Sequence, residues 1–402
     1  MKSKIALLMG LFPEETYDYI KKNSKGVIQY AADALQKSLL KGFLENLNMN
    51  DISLINLPYV GGFPVYFSTP FMPNHDIIYN KKKVGTNIAF TNIRGYKNFS
   101  RFYRAQKALL EWCEQNLNDN KIIIIYALHT PFLSASVSIK QKYKDVKIIQ
   151  IVPDLPQFMS SEVGILRTIN NYYLGRLYKF IDGWVLLSEQ MKELLPVNCN
   201  YTVVEGIYSD IVEAKERRNK SIFKIFYAGT LARRYGVLNL VNAIHQLVNE
   251  NIELNICGDG DSRDEIEALQ NIDKRIVYRG QMSRKEVLNL LHNSDLLVNP
   301  RTPEGDFTKY SFPSKTMEYL ASGVPTLMYK LPGIPNEYYD YCYTIEELGV
   351  DKLSCKIQEI YDTDINIRKK IGENAKKFIL EKKNPQVQVQ KILSLIQTLS
   401  NR

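Results

Sequence analysis

The sequence predicts an α/β protein made of two Rossmann-like, doubly wound domains, each built on a parallel sheet. Short apolar runs rich in β-branched residues alternate with helix-length amphipathic stretches along almost the whole chain. This alternation restarts after about residue 200. A length of 402 residues exceeds one ordinary domain, and 45% hydrophobic residues suffice for two cores. Together these features favour two parallel sheets with helices on both faces.

The first half contains the pattern of one such domain, which we place at residues 1–200. Continuous apolar runs of strand length are typical of parallel strands buried on both faces. A helical pattern covers residues 32–48, between the first two of these runs. The predicted strands lie within residues 4–12, 51–58, 121–129, 146–154 and 183–189.

The second half repeats the pattern, and we place its domain at residues 201–385, after a junction near 195–222. An amphipathic helix is predicted at residues 237–250, and Asn384-Pro385 breaks the last helical stretch. A kinked pair of helices is therefore expected to close the chain. The predicted strands lie within residues 223–229, 252–258, 275–280, 296–300 and 324–329.

Composition limits the partners without naming one. The formal net charge is +9, from 52 Lys and Arg against 43 Asp and Glu, which favours an anionic partner. The five cysteines are scattered and lack the C-x-x-C spacing of metal or redox sites, so we expect free thiols in a reducing cytoplasm. The apolar start of the chain is predicted to be a strand rather than a signal peptide, and no run approaches the length of a membrane span.

Ligands of open parallel sheets bind beyond the carboxyl ends of the strands, so the loops after the strands are the candidate site. Residues 229–234, 258–260, 280–282 and 299–315 form these loops in the second half. Their glycines permit close approach of a ligand to the backbone, and free amides at the next helix favour an anion. We therefore predict a phosphate-binding edge.

The stretch KYSFPSKTMEYLASGVP, residues 309–325, is the most informative of these loops. Pro313 suits a helix start and Gly323 a helix end, so a helix is predicted at about 313–322. Its unpaired amides near Ser314 and Lys315 would face the strand ends and outline a phosphate site.

Glu318 lies one turn further along this largely apolar helix. A buried carboxylate is costly unless it is paired, so its predicted partner is a ligand with hydroxyl groups, such as ribose. The alternative is an exposed glutamate on a solvent face.

Three segments resemble glycosyltransferase family 4, retaining enzymes of the GT-B fold that use nucleotide sugars. They are FPSKTMEYLASGVPTL, YAGTLARRYGVLNLVNAI, and ICGDGD with YRGQMSRKEVLNLLHNSDLLVNP. The resemblance is close over residues 220–340 and implies that two domains face a cleft and that the last helix, at 386–402, crosses back to the first domain. It implies donor binding by Gly229, Thr230, Arg233, Arg234, Gly258, Gly280, Met282, Arg301, Tyr310, Ser311, Ser314, Lys315 and Glu318.

The chain departs from the family pattern at the positions that usually carry charge. The family has two glutamates separated by seven residues, but Tyr310 occupies the first position, and its glycine-rich loop has an Arg and a Lys where this chain has Thr230 and Tyr235. Arg234, and next Arg233, are the predicted clamps on the leaving diphosphate. Ordinary exposed loop arginines are the alternative.

Other acidic and basic residues near the strand ends are weaker candidates. Glu304 and Asp306 are placed either at the donor sugar's hydroxyls or in a solvent-facing turn, whereas Arg301 directly follows a strand and is the better candidate. The string Asp259-Gly260-Asp261 is interpreted as a turn rather than a metal site. No metal and no cofactor are predicted beyond the nucleotide-sugar co-substrate, for which UDP is favoured over GDP.

The first domain is expected to bind the acceptor. His129 and Asp154 end predicted strands and, with Arg234, are the catalytic candidates implied by the resemblance; a structural histidine and a turn or helix cap are the alternatives. Family 4 enzymes retain the anomeric configuration, and no carboxylate pair at a double-displacement spacing is visible. Departure of the nucleotide diphosphate would then drive attack by the acceptor hydroxyl on the same face.

Residues 77–107 are basic, contain no acid and include several aromatic residues. This composition suits an anionic membrane surface and hence a lipid-linked acceptor. Nucleic acid is disfavoured because no nucleic-acid motif accompanies it, and an ordinary basic face is the plain alternative.

The sequence thus predicts a cytoplasmic, membrane-peripheral glycosyltransferase that transfers a sugar to a glycan of the cell surface, such as a capsule or O-antigen. A nucleotide-sugar epimerase and a catalytically silent binding subunit are the alternatives.

Overall fold

The computed structural model describes residues 3–154, 164–209 and 222–400, and the chain divides into two compact units. Unit 1 comprises Met1–Ile207 and Pro385–Arg402, and unit 2 comprises Tyr208–Asn384. The predicted junction at 195–222 therefore falls partly outside the described residues, at 210–221.

Unit 1 is built on an eight-stranded sheet with the order β10-β9-β8-β7-β1-β2-β5-β4. Unit 1 contains the strands β1 Ser3–Met9, β2 Ile52–Asn56, β3 Phe71–Met72, β4 His75–Tyr79, β5 Lys82–Asn87, β6 Phe90–Thr91, β7 Asn120–Tyr126, β8 Lys147–Val152, β9 Gly183–Leu186 and β10 Tyr201–Val203, of which β3 and β6 form a separate two-stranded antiparallel sheet. Its helices are α1 Tyr17–Asn23, α2 Tyr30–Asn46, α3 Lys97–Gln115, α4 Thr130–Lys142 and α5 Ile165–Leu177, with α12, Pro385–Ser400, at the end of the chain.

The sheet is parallel except at one edge, where β4 pairs with β5 in antiparallel orientation. The hairpin turns at Asn80 and Lys81, which both have positive φ, 49° and 63°. Such values match the two-residue turns that preserve strand twist. The sequence pattern missed this hairpin because its strands are short and charged rather than apolar.

Alternating side chains of the central strands form a core on each face of this sheet. Ile123 and Ile125 of β7 pack in one core, and Ile122 and Ile124 pack in the other. The second core is closed by α12, which packs on α2. A side chain at Gly42 of α2 would overlap the start of α12, so the two helices are in close contact. The prediction that the final helix returns to the first half of the chain is confirmed.

Unit 2 is built on a six-stranded, fully parallel sheet with the order β13-β12-β11-β14-β15-β16. Its strands are β11 Phe223–Ala228, β12 Ile252–Cys257, β13 Ile276–Tyr278, β14 Leu296–Asn299, β15 Thr326–Tyr329 and β16 Tyr343–Ile345. Its helices are α6 Val237–Gln246, α7 Arg263–Ile272, α8 Arg284–His292, α9 Ser314–Ser322, α10 Val350–Asp362 and α11 Ile365–Lys382.

The helix boundaries agree closely with their sequence signals. Helix α9 begins directly after Pro313 and ends before Gly323, which takes the left-handed conformation with φ 80°. Helix α11 ends at Lys382, three residues before Pro385, where α12 begins. Among the helices of the described ranges, none has the length and apolar character of a membrane span.

Candidate functional site

The carboxyl edge of the unit 2 sheet brings three glycine-containing loops into direct contact. Gly258, after β12, has φ 137°, and a Cβ at this position would overlap the carbonyl oxygen of Gly229, after β11. The Gly258 amide donates to the Gly280 carbonyl over 2.9 Å, and the Leu231 amide donates to the Asp259 carbonyl over 2.9 Å. The backbone is therefore packed so tightly at Gly258 that only glycine fits.

In the Asp259-Gly260-Asp261 string, the first carboxylate stabilises its own turn and the second connects two of these loops. Asp259 Oδ1 accepts from the Gly260 amide over 2.9 Å, and Asp261 Oδ1 accepts from the Arg233 amide over 2.8 Å. The guanidinium of Arg233 forms an ion pair with Glu265 of α7. Of the two predicted arginine clamps, Arg233 is thus already engaged with a carboxylate.

A cluster of two arginines and two aromatic rings lies where the loops after β11 and β14 meet; we call it the arginine–aromatic cluster. The Cζ atom of Arg301 lies 4.5 Å from the ring centroid of Phe307 and 5.3 Å from that of Tyr235. The Cζ atom of Arg234 lies 5.1 Å from the Tyr235 centroid and 5.7 Å from the Phe307 centroid. Cation–π contacts of this kind hold a guanidinium in place without neutralising it.

The cations of this cluster have no acidic partner within the described part of the chain. Arg301 Nη2 donates to Ser311 Oγ over 3.1 Å, while its Nε is buried and has no hydrogen-bond partner. Burial lowers the pKa of Arg301. Tyr235, which stands in place of a family lysine, therefore positions two arginines at this edge.

The first turn of helix α9 contributes a third cation, Lys315, and backbone amides that no side chain caps. No side chain caps its start at Pro313, and Ser314 is exposed there. Lys315 extends toward the first loop, since a Cβ on Gly229 would lie 3.0 Å from its Cε atom. Burial lowers the pKa of Lys315, the Glu318 charge partly opposes this, and no ion pair to Lys315 occurs among the described residues.

The environment of Glu318 differs from the sequence prediction of a buried carboxylate whose partner is a ligand. Its side chain is 34% exposed, and Oε1 lies 3.5 Å from Arg284 Nη2 at the start of α8. The carboxylate therefore lies at the rim of the site and has a protein partner, because helix α8 places a cation beside it. A ribose at Glu318 would have to share the carboxylate with Arg284.

The remaining predicted donor residues occupy the same edge in different ways. Gly280 has φ 67°, and the position that a Cβ would take there is open. Met282 Sδ accepts from the Cys257 thiol over 3.4 Å. The Thr230 carbonyl accepts from Tyr227 Oη over 3.0 Å, and Tyr310 is half-buried. These residues shape the loops, whereas Arg234, Arg301 and Lys315 supply the charge.

In unit 1, His129 follows β7 and directly precedes α4. The intervening Ala127 has φ 64°, a strained value of the kind that collects at functional sites. His129 Nε2 lies 3.4 Å from Arg101 Nη1, and its ring centroid lies 5.2 Å from that of Tyr59. Burial, with the charges of Arg101 and Lys97, holds the pKa of His129 well below its ordinary value.

Arg101 and Lys97 are the residues whose place the sequence interpretation missed. They were assigned to the basic membrane segment, but Arg101 is only 2% exposed and Lys97 is half-buried. The helical period of α3 could have indicated that Arg101 is buried, because Arg101 shares a face with the buried Ala105 and Leu109. Arg101 therefore belongs to the interior beside His129, with Lys97 half-buried near it, and the assignment of Arg101 to the membrane face was wrong.

Asp154 lies two residues after the end of β8. Partial desolvation raises the pKa of its carboxyl. No hydrogen bond to this carboxylate occurs among the described residues, and residues 155–163 lie outside them. Its place at the strand end agrees with the sequence expectation, and its role stays a prediction.

Acidification is expected to destabilise the protein through His129. The unfolded chain binds a proton on this side chain below about pH 6.5, whereas the folded protein, with its lowered pKa, does not. The free energy of unfolding therefore falls as pH decreases. His129→Gln should reduce this fall between neutral pH and about pH 5, by at most about 1.4 kcal/mol for each pH unit below about pH 6.5. Urea unfolding at both pH values measures it, and equal pH dependence of the two proteins would contradict the assignment.

Comparison with known proteins supports a transferase. Residues 209–378 match the family model described as Glycosyl transferases group 1. An uncharacterised glycosyltransferase of Methanocaldococcus jannaschii is 21% identical over 333 residues, which are 81% of this chain and 78% of that protein.

Two solved structures share the architecture over nearly the whole chain. The Anabaena protein HepE, crystallised with UDP, aligns with a TM-score of 0.60 at 13% identity, covering 98% of this chain and 100% of that one. The lipopolysaccharide outer core galactosyltransferase WaaB aligns with a TM-score of 0.59 at 13% identity, covering 98% and 99%. At such identities the likeness shows the fold. Unit 2 therefore matches the glycosyl transferases group 1 model, and the protein is a glycosyltransferase enzyme with the GT-B fold.

Proposed function

We propose that this enzyme transfers a sugar, with retention of configuration, from a nucleotide-diphosphate donor to a hydroxyl of a glycan acceptor. The observation that carries the proposal is the set of cations at the carboxyl edge of the unit 2 sheet. Lys315 and Arg301 are both desolvated and neither has a carboxylate partner among the described residues. A diphosphate is the ligand whose charge and geometry suit such cations.

The same residues suit the chemistry of the leaving group. As the bond from the sugar to the nucleotide breaks, negative charge grows on the diphosphate, where Arg301, Arg234 and the free amides of α9 would stabilise it. The acceptor hydroxyl then attacks from the face that the diphosphate leaves, so no protein nucleophile is needed. Glu318 is assigned to the donor ribose, and His129 and Asp154 of unit 1 are assigned to the acceptor side.

A nucleotide panel tests the donor class. UDP is favoured over GDP, and the UDP complex of HepE supports this choice. We expect UDP to raise the melting temperature of the full chain more than GDP, because a ligand at 100 times its Kd stabilises the folded state by about 2.7 kcal/mol. Arg301→Gln should abolish the shift.

The reaction with candidate donors is then recorded with and without a glycan acceptor. Transfer that depends on the acceptor supports the proposal. Conversion of the donor alone would indicate an epimerase, and binding without turnover would indicate a silent subunit.

The acceptor is proposed to be lipid-linked and to belong to a cell-surface polysaccharide made at the cytoplasmic side of the membrane. WaaB acts on lipopolysaccharide, which supports this choice. The start of α3 exposes a patch that we call the aromatic face, made of Phe99, 59% exposed, Tyr103, 55% exposed, and the neighbouring Arg94 and Arg104. Aromatic and basic side chains together suit an anionic lipid surface.

Vesicle sedimentation tests the aromatic face. The double variant Phe99→Ser with Tyr103→Ser should bind vesicles containing anionic lipid roughly tenfold or more weakly than the wild type, because two apolar side chains no longer enter the interface. Val248→Ser, which removes an even more exposed apolar side chain from unit 2, is the control and should bind normally. Equal binding of the double variant and the wild type would exclude this surface.

A further inference from the structure

A buried arginine, Arg101, and a half-buried lysine, Lys97, lie together at the carboxyl edge of the unit 1 sheet without any acid beside them. Arg101 Nη2 donates to the carbonyl of Pro58, and Lys97 Nζ donates to the carbonyl of Val60 over 3.0 Å, so both reach the loop that follows β2. Arg101 also lies over the rings of Tyr59 and Phe90. Within the described ranges, no carboxylate pairs with either cation.

Such an arrangement is unfavourable in the ligand-free protein. Burial lowers the pKa of Lys97 to about 8, with the Arg101 charge adding to the effect, and lowers the pKa of Arg101 to about 10. Arg101 Nε and His129 Nδ1 are buried without hydrogen-bond partners. An uncompensated buried charge costs several kcal/mol, which a bound anion would offset.

Anchoring the loop does not require positive charge. The carbonyls of Pro58 and Val60 would accept equally well from neutral amide side chains, without the cost of desolvating two cations. The two cations also lie at the carboxyl ends of the strands, where open parallel sheets bind their ligands, and beside His129. Location and missing counter-charge together indicate a ligand.

We propose that Arg101 and Lys97 bind an anionic group of the acceptor at this edge of unit 1. The inference rests on the proposed transferase function and adds the chemical class of the acceptor. Two sources share this chemistry: the diphosphate that joins a glycan to a lipid carrier, and the carboxylate of an acidic sugar. A neutral acceptor would leave the two cations without compensation.

The four histidines of the chain make the site observable by NMR of their ring carbons. The His129 signal is assigned as the one absent from His129→Gln. The full-length protein is first saturated with UDP to occupy the donor site, and pyrophosphate, glucuronate or glucose is then titrated. We expect pyrophosphate or glucuronate, but not glucose, to shift the His129 signal. Tighter binding of pyrophosphate indicates the lipid diphosphate, and tighter binding of glucuronate indicates an acidic sugar.

Charge-removal variants localise the effect. Lys97→Gln should weaken binding of the anion about tenfold, which corresponds to the loss of one charge-assisted hydrogen bond. Lys21→Gln removes an exposed charge from α1 of the same unit and should bind as the wild type does. Arg101→Lys keeps the charge and tests the guanidinium geometry if Arg101→Gln does not fold.

The inference is overturned if neither anion shifts the His129 signal, or if Lys97→Gln binds as tightly as the wild type. These failures are separable from failure of the proposed function. UDP stabilisation depends on unit 2 alone, and both it and acceptor-dependent transfer are measured independently of the anion titration.

Discussion

Lys315→Met is expected to lower kcat/KM with a nucleotide-sugar donor about a hundredfold, or about 2.7 kcal/mol in transition-state energy. The side chain lies beside Gly229 at the start of α9, is desolvated and has no ion pair among the described residues. Its charge is therefore available to a diphosphate. Methionine keeps the apolar stem, so the free energy of unfolding should change little. Steady-state kinetics and the UDP-induced shift in melting temperature measure the effect.

Lys309→Met is the matched control for this variant. Lys309 is exposed and lies on the loop just before α9, where its Nζ atom is 3.3 Å from Asp306 Oδ1. Removing its charge should leave kcat/KM within about twofold of the wild type, as for other surface ion pairs. Equal losses in the two variants would mean that general positive potential, rather than Lys315 itself, binds the donor.

Gly258→Ala is expected to destabilise the protein by about 3–5 kcal/mol and to abolish nucleotide binding. Two causes add: the backbone has φ 137°, and the new Cβ would overlap the carbonyl oxygen of Gly229. The loops after β11 and β12 would have to separate, and with them the edge that holds Lys315. Denaturant unfolding and the UDP-induced shift in melting temperature report the two losses.

Gly280→Ala separates strain from overlap. Gly280 also has a positive φ, 67°, but no atom lies within 4 Å of the position that its Cβ would take. We expect a loss of only about 1–2 kcal/mol, from the left-handed conformation alone. A Gly258→Ala loss no larger than this would mean that the two loops separate without cost.

The secondary structure was largely readable from the sequence. The runs that became β1, β7, β8 and β11 are largely continuous and apolar because both faces of a parallel sheet are covered, and no alternation is needed. Pro313, Gly323 and Pro385 marked helix boundaries through local backbone sterics. The hairpin of β4 and β5 carried no such signal, since its stability comes from pairing with the edge of an existing sheet.

The sequence predicted which loops meet at the strand ends, but not all of their contacts. The strand-end loops were found because parallel strands align their carboxyl ends. Arg233 and Glu318, in contrast, have protein partners, Glu265 and Arg284, which lie on other helices of unit 2. No spacing rule connects residues on separate helices, so the sequence could not distinguish a free cation from a paired one.

The sequence by itself determined the α/β class, two Rossmann-like halves and the start of α9, because these follow from local periodicity and backbone sterics. Only the tertiary structure decided which charges lack partners. It paired Arg233 with Glu265 and Glu318 with Arg284. It also placed Arg301 against two aromatic rings and buried Arg101 beside His129. The physical reason is that desolvation and ion pairing depend on what packs around a group, and the packing partners come from distant parts of the chain.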